Sequence, residues 1–237
     1  MSAPALAGEK GNAHWSYEGE HGPEHWGGMS KEFEKCSKGA RQSPIDITGA
    51  AVEKSPAIDF AYKPTKLKLW NNGHTVQVNY ETGSFITVGK EKYQLAQFHF
   101  HNPSEHTLGN KPFAIELHLV HKNAKGALAV VGILLEEGAE NLAYKAVFAN
   151  LPKNADTKID ADLSINAETL LPSDRTYYRY DGSLTTPPCS EGVNWFVLKT
   201  PIQLSKEQLA SYNGIFKKTN RPVQPLHDRK IQEAAAK

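Results

Sequence analysis

The 237 residues carry 27 lysines and arginines against 26 aspartates and glutamates, a net charge of +1, with both signs scattered and no basic block or acidic tail. That distribution offers nothing for nucleic acid or an anionic membrane surface to recognise. The longest apolar run, Ala127 to Leu135, is nine residues, far short of a membrane-spanning helix, and reads as a central strand buried on both sides.

Met1 to Ala13 is small and polar and is read as a flexible N-terminal segment, residues 1–13. Ala5-Leu6-Ala7 has the look of a signal-cleavage site, but no charged or apolar stretch precedes it, so the simplest reading is a mature or trimmed form carrying an added start. His14-Trp15-Ser16-Tyr17 and Pro23-Glu24-His25-Trp26 follow, a glycine-punctuated segment that should pack onto the body by its rings. Gln42-Ser43-Pro44-Ile45-Asp46-Ile47 enters the first strand. Lys66 to Trp70, Thr75 to Tyr80 and Ser84 to Val88 are further short strands, separated by Asn71-Asn72-Gly73 and Glu81-Thr82-Gly83, both of which read as hairpin signals.

Next comes the stretch that carries chemistry. Gln97-Phe98-His99-Phe100-His101 has strand character, and strand side chains alternate faces, so both imidazoles point the same way. In Ala114 to His121, Ala114, Glu116, His118 and Val120 share one face and Ile115, Leu117 and Leu119 the other. Pairing these runs across residues 102–112 would bring His118 beside His99 and His101. Three neutral nitrogen ligands leave a zinc ion its full charge and an open fourth position, which suits catalysis. Gln97 and Glu116 lie two residues before His99 and His118, on the ligand faces, where they could orient the rings. A lone strand histidine is ordinarily a core or surface residue, and the spacing by itself leaves that plainer reading open.

Beyond the apolar strand, Ala139 to Asn150 has Leu142, Ala143, Ala146 and Val147 at helical spacing before Pro152 and reads as a surface helix. Asp162 to Ile165 opens an irregular stretch. Tyr177 to Tyr180 and Trp195 to Leu198 are strands, and Ser205-Lys206-Glu207-Gln208 is a capping box for a helix ending near Gly214. Cys36 and Cys189 stand in no C-x-x-C spacing. Two free thiols are one reading. The other is a single disulfide, whose closure of about 150 residues would contribute roughly 4–5 kcal/mol in the chain-entropy model and imply an oxidising compartment. No repeat or linker divides the chain, so residues 14–237 are read as one domain.

The chain resembles the α-class carbonic anhydrases from His14 to about Leu226. The pieces that carry the resemblance, in family order, are His14-Trp15-Ser16-Tyr17, Gly22-Pro23-Glu24-His25-Trp26, Gln42 to Ile47, Asn72-Gly73-His74, Gln97 to His101, Ser104-Glu105-His106-Thr107, Glu116 to His121, Gly182 to Pro188 and Arg221 to Leu226. The resemblance implies a mainly β (α+β) fold: a single domain on a large, twisted, mostly antiparallel sheet of about ten strands, with short peripheral helices. It also implies cis peptides before Pro44 and Pro188.

For function, the resemblance implies reversible hydration of carbon dioxide to bicarbonate and a proton by a zinc-bound hydroxide, with one Zn2+ per chain on His99, His101 and His118. Gln97 and Glu116 would be acceptors behind the first and third ligands. Thr185 would accept from the hydroxide and donate to Glu105, aiming a lone pair at the substrate. Val120, Val130, Leu184, Val193 and Trp195 would form the apolar substrate wall, with Thr186 beside them and the Thr185 N–H facing a substrate oxygen. His74 would export the proton, and Tyr17, Asn72 and Gln77 would order the water chain; Gln77 stands where some members have asparagine. His106 would be structural. Cys36 and Cys189 match the disulfide of secreted and periplasmic members, and the short span from His101 to Glu105 matches compact bacterial ones, which implies a periplasmic or secreted enzyme. Carbon dioxide and bicarbonate are the expected partners, with sulfonamides and anions as inhibitors, a homodimer as an open option, no nucleic acid and no membrane. Weak hydrolysis of activated esters is an expected side activity. The alternative is a non-catalytic binding module of this family; such modules lack at least one ligand histidine, whereas all three stand here with Thr185 and Glu105.

Overall fold

Runs in which apolar side chains alternate with polar ones, or follow one another unbroken, build fifteen strands in the described residues of this computed structural model, 14–53 and 55–234. The expected flexible segment 1–13, with Ala5-Leu6-Ala7, lies outside them. The strands are β1 (Asp46–Ile47), β2 (Ala51–Glu53), β3 (Ile58–Ala61), β4 (Thr65–Asn71), β5 (Val76–Asn79), β6 (Phe85–Val88), β7 (Glu91–His101), β8 (Thr107–Leu108), β9 (Ile115–Lys122), β10 (Leu128–Glu137), β11 (Lys158–Ile165), β12 (Tyr177–Ser183), β13 (Glu191–Leu198), β14 (Ile202–Leu204) and β15 (Gln232–Ala234). The short helices are α1 (Trp26–Met29), α2 (Lys35–Lys38), α3 (Leu142–Ala149) and α4 (Lys206–Asn213).

Thirteen strands form one mixed sheet, where about ten were expected; its main path is β11-β4-β5-β7-β9-β10-β13-β12-β15-β2, β14 joins beside β10, and β3 and β6 extend from β7. Most pairs are antiparallel. The parallel ones in this sheet are β10 with β13, β10 with β14 and β15 with β2. β1 and β8 pair parallel outside it.

The period-two pattern splits the central strands between two cores. Phe98 and Phe100 of β7, Ile115, Leu117 and Leu119 of β9, and Val131, Ile133 and Leu135 of β10 are all fully buried in the larger one. Each such side chain contributes on the order of 1.5–3 kcal/mol. On the opposite face Val120, Val130, Val193 and Trp195 join Ile45, Leu134 and Tyr180 in a second core. The apolar run at 127–135 is central and buried on both sides, as its composition requires. Gly132 pairs with His118, and a Cβ there would stand 3.0 Å from Glu116 Oε1, so any larger residue would press on that carboxylate.

Several expectations need correction. Asn71-Asn72-Gly73 does close the β4–β5 hairpin, but Glu81-Thr82-Gly83 does not make one. β5 and β6 both run antiparallel to β7, one after the other, and Tyr80 N–H to Ala96 O (2.9 Å) and Leu95 N–H to Ser84 O (2.8 Å) carry the pairing past the break. Residues 162–165 are part of β11, an edge strand; its pattern is obscured by a bulge between Asp160 and Ser164, with Asp162 at φ 49°. α3 starts at Leu142, where Asn141 Oδ1 accepts the Ala143 N–H (3.1 Å), and it buries Tyr144, Val147 and Phe148 while Leu142 is 72% exposed. The capping box of α4 is present, with Ser205 Oγ accepting from Gln208 N–H and Gln208 Oε1 from Ser205 N–H. Cis bonds precede Pro44 and Pro188, and also Pro103.

The N-terminal segment is held by its rings and by a crosslink. Trp15, Tyr17 and Trp26 stack edge to face, and Trp26 Nε1 donates to Ser16 O at 2.9 Å. Cys36 is bonded to Cys189 across 153 residues, which settles the cysteine question in favour of the disulfide. Replacing both cysteines by serine is expected to lower the unfolding free energy by roughly 2–5 kcal/mol, measured as a fall in denaturant midpoint at unchanged slope. An unchanged midpoint would show that the rings and buried hydrogen bonds attach this segment unaided.

Candidate metal centre and active site

The antiparallel register of β7 and β9 sets His99 opposite His118 and His101 opposite Glu116. Phe98 and Phe100 are drawn into the larger core, so His99 and His101 must face the other way, toward His118. The three rings lie 4.5–5.3 Å apart between centroids, and one nitrogen from each comes within 4.8 Å of the others. Each ring has its far nitrogen fixed. His99 Nδ1 donates to Gln97 Oε1 (2.8 Å), His101 Nδ1 to Thr219 O (2.6 Å) and His118 Nε2 to Glu116 Oε1 (2.8 Å). The nitrogens left to converge are His99 Nε2, His101 Nε2 and His118 Nδ1.

Two observations test whether a cation fits. His101 Nε2 is buried with no hydrogen-bond partner among the described residues, and an orphaned buried nitrogen calls for a ligand. Burial first, and the neighbouring imidazoles second, also hold His99 well below its ordinary pKa; burial likewise lowers His118 and brings His101 to about 4. Neutral imidazoles with their second nitrogens tied to acceptors are the donor set zinc takes.

Glu116 is the anchor behind this set. Its Oε1 accepts from His118 Nε2 and His106 Nδ1 (2.7 Å), and its Oε2 from the N–H groups of Glu105 (2.9 Å) and His106 (2.8 Å). Burial alone would raise its pKa, but the two imidazoles hold it well below the carboxylate range. His106 Nε2 reaches the Tyr180 hydroxyl at 2.6 Å, so His106 is locked into the fold, as expected.

Glu105 is also buried. Its Oε1 accepts the Arg221 N–H (2.9 Å), and its Oε2, without a hydrogen-bond partner of ordinary geometry, lies 3.9 Å from His118 Nδ1. Burial pushes the carboxyl up to about 7, opposed by His118, the Arg221 N–H and the Thr185 hydroxyl. Thr185 comes from the loop between β12 and β13, which is closed by Leu184 N–H to Ser190 O (2.9 Å) and Cys189 N–H to Thr186 O (2.8 Å). Trp195, held by Nε1–H to Ser183 O (2.9 Å), sets its ring 4.8 Å from that of His118. Val120, Val130 and Val193 pack with it in one buried cluster, and Leu184 lies against them. Thr186 is half-buried.

On the polar side, His74 is half-buried, stacked on Trp15 at 3.7 Å with the planes 9° apart, and burial, reinforced by His14, brings it to about 4. Asn72 Oδ1 accepts the N–H groups of His74 and Thr75 (both 3.0 Å), so its oxygen serves the turn before any water. Gln77, opposite His99 in the sheet, donates to Asn79 Oδ1 at 2.6 Å. Tyr17 is buried, its phenol pKa raised by burial and by Glu105, with its ring 6.4 Å from His74.

Sequence reasoning missed two participants. Thr219 fixes His101 through a backbone carbonyl, which no residue type signals. Arg221 was noted only as part of a matching stretch. It is 1% exposed and donates from Nη1 to Gln42 Oε1 and Ser43 O (2.8 Å each) and from Nη2 to Cys36 O (2.7 Å).

Glu116→Gln and Gln97→Leu are each expected to weaken zinc binding about 10–100-fold, read by competition with a chelator; unchanged affinity in both would remove these groups from the centre. The folded pKa of His74 lies below the ordinary 6.5, so it resists protonation until about pH 4; its contribution to stability is present above pH 6.5 and is lost as pH falls from there toward 4. An NMR titration should place it near 4, and Trp15→Ala should move it up toward 6.5 by re-exposing the ring.

Comparison with known proteins places this geometry. Residues 21–235 match the family model described as eukaryotic-type carbonic anhydrase. A carbonic anhydrase of Klebsiella pneumoniae is 47% identical over 226 residues, covering 93% of this chain and 91% of that one. A hyperthermostable carbonic anhydrase identified from an active hydrothermal vent chimney superposes with a TM-score of 0.91 at 46% identity, over 94% of this chain and 100% of its own. The alpha-carbonic anhydrase of Thermovibrio ammonificans, solved with the inhibitor sulfanilamide, gives 0.92 at 42% identity, with 94% and 100% covered. The chain therefore belongs to the eukaryotic-type, or alpha, carbonic anhydrase family, zinc enzymes that hydrate carbon dioxide.

Proposed function

We infer that this chain hydrates carbon dioxide reversibly at a zinc ion held by His99, His101 and His118. The observation that carries the reading is the convergence of three neutral imidazole nitrogens within 4.8 Å of one another, each ring fixed from behind by an acceptor. Zinc bound there supplies Lewis acidity, which brings water to its nucleophilic form near neutral pH and steadies charge in the transition state.

The chain's own residues do the rest. Glu105, its ionised form favoured by a nearby dication, accepts a hydrogen bond from the Thr185 hydroxyl. Thr185 Oγ1 is then left as an acceptor and can hold an attacking oxygen only by that oxygen's own hydrogen, which turns a lone pair toward the substrate. Val120, Val130, Leu184, Val193 and Trp195 receive the apolar carbon dioxide, Thr186 borders it, and the Thr185 N–H meets a substrate oxygen. Tyr17, Asn72 and Gln77 present polar groups to the departing proton's water path. His74 exports the proton in the conformation where its ring has left Trp15, because the stacked ring stays neutral down to about pH 4. The disulfide supports a periplasmic or secreted location.

Stopped-flow hydration tests the reading. Zinc-loaded protein should hydrate carbon dioxide rapidly, and His74→Ala should lose rate in dilute buffer and regain it with imidazole. Thr185→Ala should cost about 10²–10³-fold in kcat and should also abolish the weak hydrolysis of activated esters. No hydration by zinc-loaded protein would favour a non-catalytic binding module; a His74→Ala rate equal to wild type would move the proton path elsewhere.

A further inference from the structure

The N-terminal segment brings to His74 two histidines that the hydration reading leaves without a role. The His14 ring lies 6.5 Å from that of His74, tilted by 47°, and 6.2 Å from that of His21, nearly perpendicular at 82°. His14 directly precedes Trp15, whose indole lies on His74, so the same stacking that covers His74 sets His14 beside it. His74 is half-buried, while His14 and His21 are exposed. The three rings form a row that leads from the turn after β4 out to solvent.

Their nitrogens are also open to water. His99, His101, His106, His118 and His121 each have a ring nitrogen within bonding distance of an acceptor. The rings of His14, His21 and His74 form no such bond among the described residues. A ring with both nitrogens in reach of water can take up a proton on one side and release one from the other.

The energetics favour the outer rings. A proton leaving the metal centre has been held there with a pKa of about 7. Moving it onto stacked His74, which burial first and His14 second hold at about 4, is uphill by about three pH units, roughly 10³ in equilibrium. Histidine in water is the side chain that changes charge between pH 5 and 8. His14 stands in water; stacked His74 does not. The two also repel when both are charged, so a proton on His14 keeps the inner ring neutral. Asp156 acts on His74 in the opposite sense, and Tyr17 is a further ring facing it, at 6.4 Å.

We propose that His14 is a second proton carrier of this enzyme, which accepts the proton through a bridging water while His74 remains stacked and hands it to the buffer, with His21 next in the row. A water bridging two polar groups transmits a hydrogen bond nearly as well as direct contact. The proton arrives on one ring nitrogen, giving the imidazolium, and the other N–H delivers its proton to a buffer base, which restores the neutral ring. Export then does not wait for the His74 ring to leave Trp15. The inference rests on the hydration reaction proposed above.

Stopped-flow hydration by zinc-loaded protein in dilute buffer tests this with His14→Gln, at an exposed position, alone and combined with His74→Ala. The double variant is expected to lose about tenfold in kcat relative to His74→Ala, with kcat/KM unchanged and the rate restored by imidazole; a smaller fall is expected in His14→Gln alone. NMR titration gives a readout apart from activity: His14→Gln should raise the His74 midpoint from about 4 by removing the neighbouring charge. A double variant as fast as a slowed His74→Ala would overturn the proposal and leave the hydration reading standing. A fall in kcat/KM as large as that in kcat, or a His74 midpoint that does not move, would also overturn it, the first by showing a structural effect and the second by separating the two rings.

Discussion

One buried carboxylate organises the centre of this molecule. Glu116 sits fully buried on β9 and accepts four hydrogen bonds, from His118, His106 and the backbone N–H groups of Glu105 and His106. A carboxylate taken out of water is costly unless every oxygen is satisfied; here the satisfaction comes from two imidazoles and the turn after β7. The same four bonds therefore hold the His118 ring in one orientation, fix the segment that carries Glu105, and tie His106 to Tyr180. Removing the carboxylate would release three parts of the site at once, which is why a strand otherwise packed with aliphatic side chains retains it.

The sheet makes this arrangement stiff. β7, β9 and β10 each present one face to the larger core and the other to the site, so the backbone cannot shift at the site without pulling a Phe or Leu neighbour out of the core. The polar and apolar halves of the site arise from the same geometry. His99, His101 and His118 come from adjacent positions on β7 and β9, and Val120, Val130, Val193 and Trp195 continue that face across β9, β10 and β13. Gly132 and Gly182 mark where the face is tightest. At Gly182 a Cβ would fall 2.2 Å from Ser43 Oγ and 2.8 Å from the Trp195 ring.

What was legible in the sequence is what local periodicity encodes. The alternation in Gln97 to His101 and Glu116 to Val120 fixes which side chains share a face, and two adjacent strands suffice to bring His118 to His99. The unbroken apolar run at 127–135 marks a central strand for the same reason. The edge strand β2, its three-residue neighbour β15 and the bulged edge strand β11 were illegible, since short strands and strands with one solvated side need few apolar residues. The break at Glu81-Thr82-Gly83 carries ordinary turn chemistry, and only the length of β7 decides that both flanking strands pair with it. Thr219 acts through its carbonyl from 118 residues away, a contact that no residue type announces.

The rim obeys a different physics from the sheet. Trp15, Tyr17 and Trp26 belong to a segment of short helices and turns, attached by the Cys36–Cys189 bond and by Arg221, whose guanidinium reaches Gln42, Ser43 and Cys36 while its backbone N–H holds Glu105. Arg221 thus links the position of this segment to the carboxyl beside the histidines. Burial lowers its pKa only to about 10, so it remains cationic at neutral pH and the linkage persists. Two of the groups proposed for the proton path depend on this segment rather than on the sheet: Tyr17 belongs to it, and Trp15 covers the His74 ring. The three histidines therefore sit on paired strands, while His74 sits under a ring carried by a looped segment.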